Sequence, residues 1–306
     1  MKILIVAAYN TNKFVPFILD QVQALQKESD CVFDFFGIQG KGIKGYLFNL
    51  GKLNKKIREF QPDLIHAHYG LSGLLANLQR KVPVITTYHG SDINSPEVLR
   101  FSKLAIKLSK WNIFVSHNNI SIAGVKRKFS LIPCGVDMDV FVEKDKQEAR
   151  ALLDMDSKKK YILFAGAFAN KVKNYPLAKE AVDKLFGDVE LLELKGYSRE
   201  QVCLLMNAVD VVLMTSFTEG SPQFIKEAMA CGCPIVSVDV GDVAEVIDGV
   251  DGCYIVERDS AKIALLLQKA IDCNVRTKGR DSIKLLGFDN RLVANKIINV
   301  YNSIEW

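Results

Sequence analysis

Short apolar runs alternate with longer amphipathic ones along nearly the whole chain. The β-rich runs Lys2–Ala8, Cys31–Gly37, Asp63–Ala67, Val82–Tyr88, Asn112–Ser116 and Phe129–Ile132 predict a first series of strands. Amphipathic stretches such as Phe14–Lys27 and Glu97–Lys110 predict helices between them. A second series follows at Tyr161–Ala165, Val189–Leu194, Val211–Thr215, Pro234–Val238 and Gly252–Val256. Continuous apolar strands separated by helices imply parallel sheets covered on both faces. The expected fold class is α/β, with two tandem Rossmann-like doubly wound domains. The segment from Pro133 to the charged stretch ending at Glu148 reads as the linker between them. The last stretch, Asp289–Ser303, puts Leu292, Ala294, Ile297, Ile298 and Tyr301 on one helical face. The expected domains are residues 1–139, residues 140–288, and a C-terminal helix in 289–306 that packs back on the N-terminal domain. Ligands of such sheets bind beyond the carboxyl ends of the strands, so two facing domains are expected to hold one in the cleft between them.

Composition narrows the classes. Of 306 residues 49% are apolar and 25% charged, which excludes a disordered chain or a fibre. No apolar run approaches the roughly 20 residues of a spanning helix. The run Ile3–Ala8 is too short for a signal-peptide core, so a cytoplasmic protein is expected. Seven scattered cysteines without a C-x-x-C argue against a disulfide framework and a structural zinc site. Charge is uneven: residues 1–141 carry net +8 and residues 142–306 net −3. A basic half suits nucleic acid or an anionic membrane. No zinc-finger spacing or RNP-type motif supports nucleic acid. Gly45 to Phe60 combines Lys52, Lys55, Lys56 and Arg58 with Tyr46, Leu47, Phe48, Leu50, Leu53 and Ile57. Such a basic amphipathic helix can lie on a bilayer, as a peripheral protein on the inner membrane face, or cover the sheet as an ordinary surface helix.

Four motifs are candidates for chemistry. Gly40-Lys41-Gly42-Ile43-Lys44-Gly45 matches G-x-G-x-x-G, but after the second strand rather than the first, so a basic loop is the better reading. His66 and His68 share a strand face; they could ligate metal, but structural hydrogen bonding suits them better. His89 opens His89-Gly90-Ser91-Asp92 where a strand ends, a functional position. The richest constellation is Thr218-Glu219-Gly220-Ser221-Pro222-Gln223-Phe224-Ile225-Lys226-Glu227. Ser221 reads as an N-cap and Pro222 as the first helical residue. The first turn then offers partly positive N–H groups to a phosphate, and Gln223 and Glu227 share a polar face.

Glu219 and Glu227 resemble the E-x7-E motif of retaining glycosyltransferase family 4, whose fold, GT-B, has two facing Rossmann-like domains. Asp63–His68, His89–Asp92, Ile132–Asp137, Val172-Lys173-Asn174, Ala208–Val211 and Pro234–Val236 are similar to that family's sequences in order and spacing. The resemblance implies a metal-independent enzyme without cofactor. It would use a nucleotide diphosphate sugar as donor and a glycan or lipid-linked acceptor, in surface polysaccharide synthesis. It implies catalytic roles for His89, reaching from the opposite domain, and for Glu219 beside the transferred sugar. It implies that Glu227 binds the ribose and Lys173 the diphosphate. Gly220, Ser221 and Gln223 would lie along the sugar and diphosphate, and Lys195 and Tyr197 near the base. Ala167 stands where many relatives carry an arginine, and the second domain is short. An NAD(P)-dependent oxidoreductase using Gly40, Gly42 and Gly45, a non-catalytic nucleotide-sugar-binding protein and a sugar-nucleotide epimerase are the alternatives.

Overall fold

The structure is a computed structural model that describes residues 1–9, 12–40 and 42–304. Asn10, Thr11 and, in the glycine-rich motif, Lys41 lie outside the described residues. The chain divides into two units, Met1–Cys134 with the segment from Asn290, and Gly135–Asp289.

The first unit runs β1 (Lys2–Ala8), α1 (Pro16–Glu28), β2 (Val32–Ile38), α2 (Gly42–Leu47), α3 (Leu50–Phe60), β3 (Leu64–His68), α4 (Gly70–Asn77), β4 (Val84–Tyr88), α5 (Pro96–Leu108), β5 (Trp111–Phe114), α6 (His117–Ala123) and β6 (Phe129–Leu131). The second runs α7 (Lys146–Leu152), β7 (Lys160–Phe164), a 3-10 turn Lys171–Lys173, α8 (Tyr175–Val182), β8 (Val189–Glu193), α9 (Arg199–Ala208), β9 (Val211–Met214), α10 (Gln223–Ala230), β10 (Ile235–Val238), α11 (Val243–Ile247), β11 (Cys253–Val256), α12 (Ser260–Cys273) and α13 (Gly279–Leu286). A last helix, α14 (Asn290–Ser303), returns to the first unit.

Both sheets are parallel throughout. The first has the order β2-β1-β3-β4-β5-β6 and the second β11-β10-β9-β7-β8. Counted from its own first strand, each begins 2-1-3-4-5, so the order reverses beside β1 and β3 in one unit and beside β7 and β9 in the other. The period-2 alternation explains the burial. Ile3, Ile5 and Ala7 pack with Ile18, Val22 and Leu25 of α1 and Val293, Ile297 and Tyr301 of α14. Leu4 and Val6 face the other way, onto Leu53 and Ile57 of α3 and Leu75 of α4. Each such side chain stabilises the fold by about 1.5–3 kcal/mol.

Three expectations change. The helix read from Gly45 to Phe60 is two helices, α2 and α3. Buried Asn49 turns the corner by donating to the Gln39 carbonyl at 2.8 Å and the Gly45 carbonyl at 2.7 Å. Two of the motif's glycines serve packing, since a Cβ on Gly45 would meet the Gly40 carbonyl carbon at 2.8 Å. The supposed linker largely belongs to the second unit. Val136, Met138 and Phe141 are buried in its core, and Val136 bridges Asp289. Apolar residues spaced along an acidic stretch were the signal for that.

Candidate functional site

In open α/β sheets the crevice at the reversal of strand order receives ligands. The second unit gathers its chemistry there, and the first gathers its own at the neighbouring ends of β3 and β4.

In the first unit, β3 ends at His68 and β4 at Tyr88, with His89 next. Asp92 fastens the two strand ends together. Its Oδ1 accepts from the backbone N–H groups of His89 and Gly90, both at 3.0 Å, and its Oδ2 from Gly70 at 2.8 Å. This explains the spacing in His89-Gly90-Ser91-Asp92: the carboxylate reaches back over the turn, and Gly90 adopts a φ of +108°. Asp92 is buried, and burial pushes its carboxyl from 3.8 up to about 6 against those three N–H groups. Tyr69 stands between the strand and α4 at φ +74°, ψ +149°, a region nearly reserved for glycine. Its N–H donates to the Thr87 carbonyl at 2.8 Å. Strain of this kind collects at functional positions.

The histidines stack. His66 hydrogen-bonds through Nδ1 with the Tyr301 hydroxyl at 2.6 Å and through Nε2 with Thr87 Oγ1 at 2.7 Å. The ring centroids of His66 and His68 are 4.5 Å apart, and those of His68 and His89 are 5.2 Å apart. His68 Nδ1 lies 3.0 Å from His89 Nε2. Phe17 and Tyr69 flank the His89 ring at 4.8 and 4.7 Å. Burial lowers His66 and His89 to about 3 and His68 well below 6.5, so the stack is neutral at pH 7. No group of three His, Cys, Asp or Glu side chains among the described residues is placed to hold a metal ion.

The second unit's site is ionic. Lys173, in the loop after β7, pairs with Glu219, in the loop after β9, at 2.7 Å. The backbone holds those loops together. Thr215 Oγ1 lies 2.9 Å from the Lys173 carbonyl and 3.0 Å from that of Asn174, and Phe217 donates to Val172 at 2.9 Å. Gly166, at φ +146°, leaves room for the lysine stem, which a Cβ there would meet at 3.1 Å.

Helix α10 begins one residue later than expected. Pro222 is its N-cap, and the Ser221 hydroxyl caps nothing; it donates to Asp242 Oδ2 at 2.6 Å. Fully buried Lys226 explains the difference, because its ammonium contacts both Ser221 Oγ and Asp242 Oδ2, the latter at 3.0 Å. Gly241 beside Asp242 lies against Gly220, whose carbonyl oxygen a Cβ would meet at 2.6 Å. Gln223 is half-buried at the start of the helix. Glu227 is buried one turn on and paired with Arg199 of α9. Arg199 in turn lies over the Phe141 ring at 4.6 Å. Lys195 and Tyr197 are exposed between β8 and α9.

The structure therefore brings Lys173 to Glu219, and places Gly220, Ser221, Gln223 and Glu227 along one loop and helix. Sequence reasoning missed Arg199, Lys226, Asp242, Asp92 and Tyr69. Lys226, set among Phe224, Ile225, Ala228 and Met229, carried a readable signal of a buried charge. The partners of Arg199 and Asp242 lie 28 and 16 residues away and left none.

Known proteins agree with this architecture. The family model Glycosyltransferase Family 4 matches residues 23–140, and Glycosyl transferases group 1 matches residues 187–272. TuaC of Bacillus subtilis, whose name assigns it to teichuronic acid biosynthesis as a glycosyltransferase, is 27% identical over 62% of this chain and 57% of its own. The D-inositol 3-phosphate glycosyltransferase of Mycobacterium marinum is 24% identical over 71% and 57%. The chain thus spans less than two thirds of the length of these relatives. Sucrose-phosphate synthase from Thermosynechococcus elongatus superimposes with a TM-score of 0.83 at 16% identity, covering 99% of this chain and 98% of that one. Anabaena HepE in complex with UDP-glucose superimposes with a TM-score of 0.79 at 17% identity, covering 99% and 100%. Two family models thus match in order, one over most of the first unit and the other within the second, and the chain is similar over both to glycosyltransferases with two parallel α/β sheets.

Proposed function

We propose that the protein is a retaining, metal-independent glycosyltransferase. It moves a sugar from a nucleotide diphosphate sugar to a glycan or lipid-linked acceptor in surface polysaccharide synthesis. The Lys173–Glu219 pair, at the strand-order reversal of the second unit and just ahead of α10, carries this reading. HepE, solved with UDP-glucose, supports the donor class, and TuaC the polysaccharide role.

On this reading the diphosphate takes Lys173 from Glu219 and meets the start of α10, whose N–H groups favour an anion. Glu219 then faces the sugar ring as that ring gains positive charge. Gly220, Ser221 and Gln223 line the sugar and diphosphate. Glu227, steadied by Arg199, accepts from the ribose hydroxyls. Lys195 and Tyr197 flank the base, and His89 is the catalytic residue of the first unit. The bond from the anomeric carbon to the diphosphate oxygen breaks as the acceptor oxygen bonds to that carbon on the same face. The acceptor's proton passes to the departing diphosphate, so no separate base is required.

No helix among the described residues is long and apolar enough to cross a membrane. A peripheral contact is part of this proposal: Phe48, 84% exposed, and Leu47 project between exposed Lys44, Lys52 and Lys55, a composition suited to an anionic surface on the cytoplasmic side. The test supplies UDP-, GDP- and ADP-linked radiolabelled sugars with a lipid extract and EDTA. The proposal expects labelled glycolipid with the donor's anomeric configuration. Inverted product, loss of transfer in EDTA, or sugar rearrangement without acceptor contradicts it.

A further inference from the structure

The His68–His89 contact has a consequence for the proton on His89. Two ring nitrogens 3.0 Å apart need one N–H and one lone pair between them. Both rings are neutral, so each carries a single N–H. If His89 Nε2 held its proton and donated, His68 would carry its own on Nε2. That atom is buried and has no hydrogen-bond partner among the described residues. His66, stacked face to face on His68, has both nitrogens engaged by Tyr301 and Thr87. An orphaned interior N–H is the rarer and costlier outcome. If instead His68 Nδ1 donates, its Nε2 is a bare lone pair, and the His89 proton sits on Nδ1, which faces Cys134 Sγ at 3.9 Å.

We infer that His68 is a positioning residue that donates through Nδ1 to His89 Nε2 and fixes His89 as the Nδ1–H tautomer. The ring is locked by three independent supports: Asp92 on its backbone N–H, the tilted rings of Phe17 and Tyr69 beside it, and His68 on Nε2. Its link to turnover rests on the catalytic reading of His89; the tautomer itself does not.

The test is nitrogen NMR on the full chain labelled with ring-15N histidine, which has only four histidines to assign. The expected spectrum shows a pyrrole-type Nδ1 and a pyridine-type Nε2 for His89 at pH 7. In His68→Asn the amide reproduces the Nδ1 donor, and the His89 pattern persists. In His68→Leu it shifts toward an Nε2–H population, with circular dichroism confirming the fold. Release of nucleoside diphosphate from UDP-glucose, GDP-mannose or ADP-glucose falls about tenfold in His68→Leu and returns in His68→Asn, the loss of roughly one hydrogen bond. A pyrrole-type Nε2 on His89 in the unaltered protein overturns the inference. Undiminished release in His89→Ala would remove the catalytic reading while leaving the spectrum to decide the tautomer.

Discussion

The two units share a strand order yet fill the carboxyl end of the sheet with opposite electrostatics. The first fills it with neutral rings, His66, His68 and His89, around a buried carboxyl pushed up by burial. The second fills it with opposed charges: Lys173 with Glu219, Arg199 with Glu227, and Lys226 with Asp242. A parallel sheet therefore fixes where chemistry collects and leaves its kind to the loops. Neutral walls suit a sugar or an acceptor hydroxyl; paired charges suit an anion that can exchange with one partner.

The sharpest break in that comparison is Lys226→Met. It strands Asp242 and frees Ser221, and should cost about 3–5 kcal/mol in urea unfolding of the second unit. The histidine stack should respond to pH instead. Its folded pKa values lie below the ordinary 6.5, so the stability it allows is full above pH 6.5 and is lost as pH falls toward 3. Asp92 has the opposite sign: raised to about 6, it adds stability as pH falls from 6 toward 4. Three imidazoles outweigh one carboxyl, and urea unfolding at pH 5 should find the first unit about 4 kcal/mol less stable than at pH 7. Lys173→Ala should leave stability nearly unchanged and slow sugar transfer by about 10²–10³, the cost of losing one fixed stabiliser of developing charge. The smallest effect is Phe48→Ser, within about 0.5 kcal/mol of the parent on unfolding because the ring is exposed. Flotation with anionic vesicles should nevertheless lose that variant.

The alternation of strands and helices was legible because both sheets are buried on both faces, which writes unbroken apolar runs such as Ile3–Ala7 and Val211–Met214 into the chain. The loop positions of His89 and Glu219 followed from those strand ends, whereas Lys173 was singled out only by the family resemblance. The α2–α3 corner was not legible, since Asn49 acts through carbonyls that carry no sequence signal. Nor was the role of Ser221: its cap-like position is overridden by a buried lysine five residues later and an aspartate from the next loop. Local propensity gave way there to a tertiary charge.

The most direct test of the account is a thermal-shift titration with UDP, GDP and ADP, each beside its free nucleoside, on the parent protein, Lys173→Ala and Glu227→Ala. The account predicts that one diphosphate raises the melting temperature well beyond its nucleoside, and that each substitution removes the shift. An undiminished shift in Lys173→Ala, or no diphosphate preference in the parent, would contradict it.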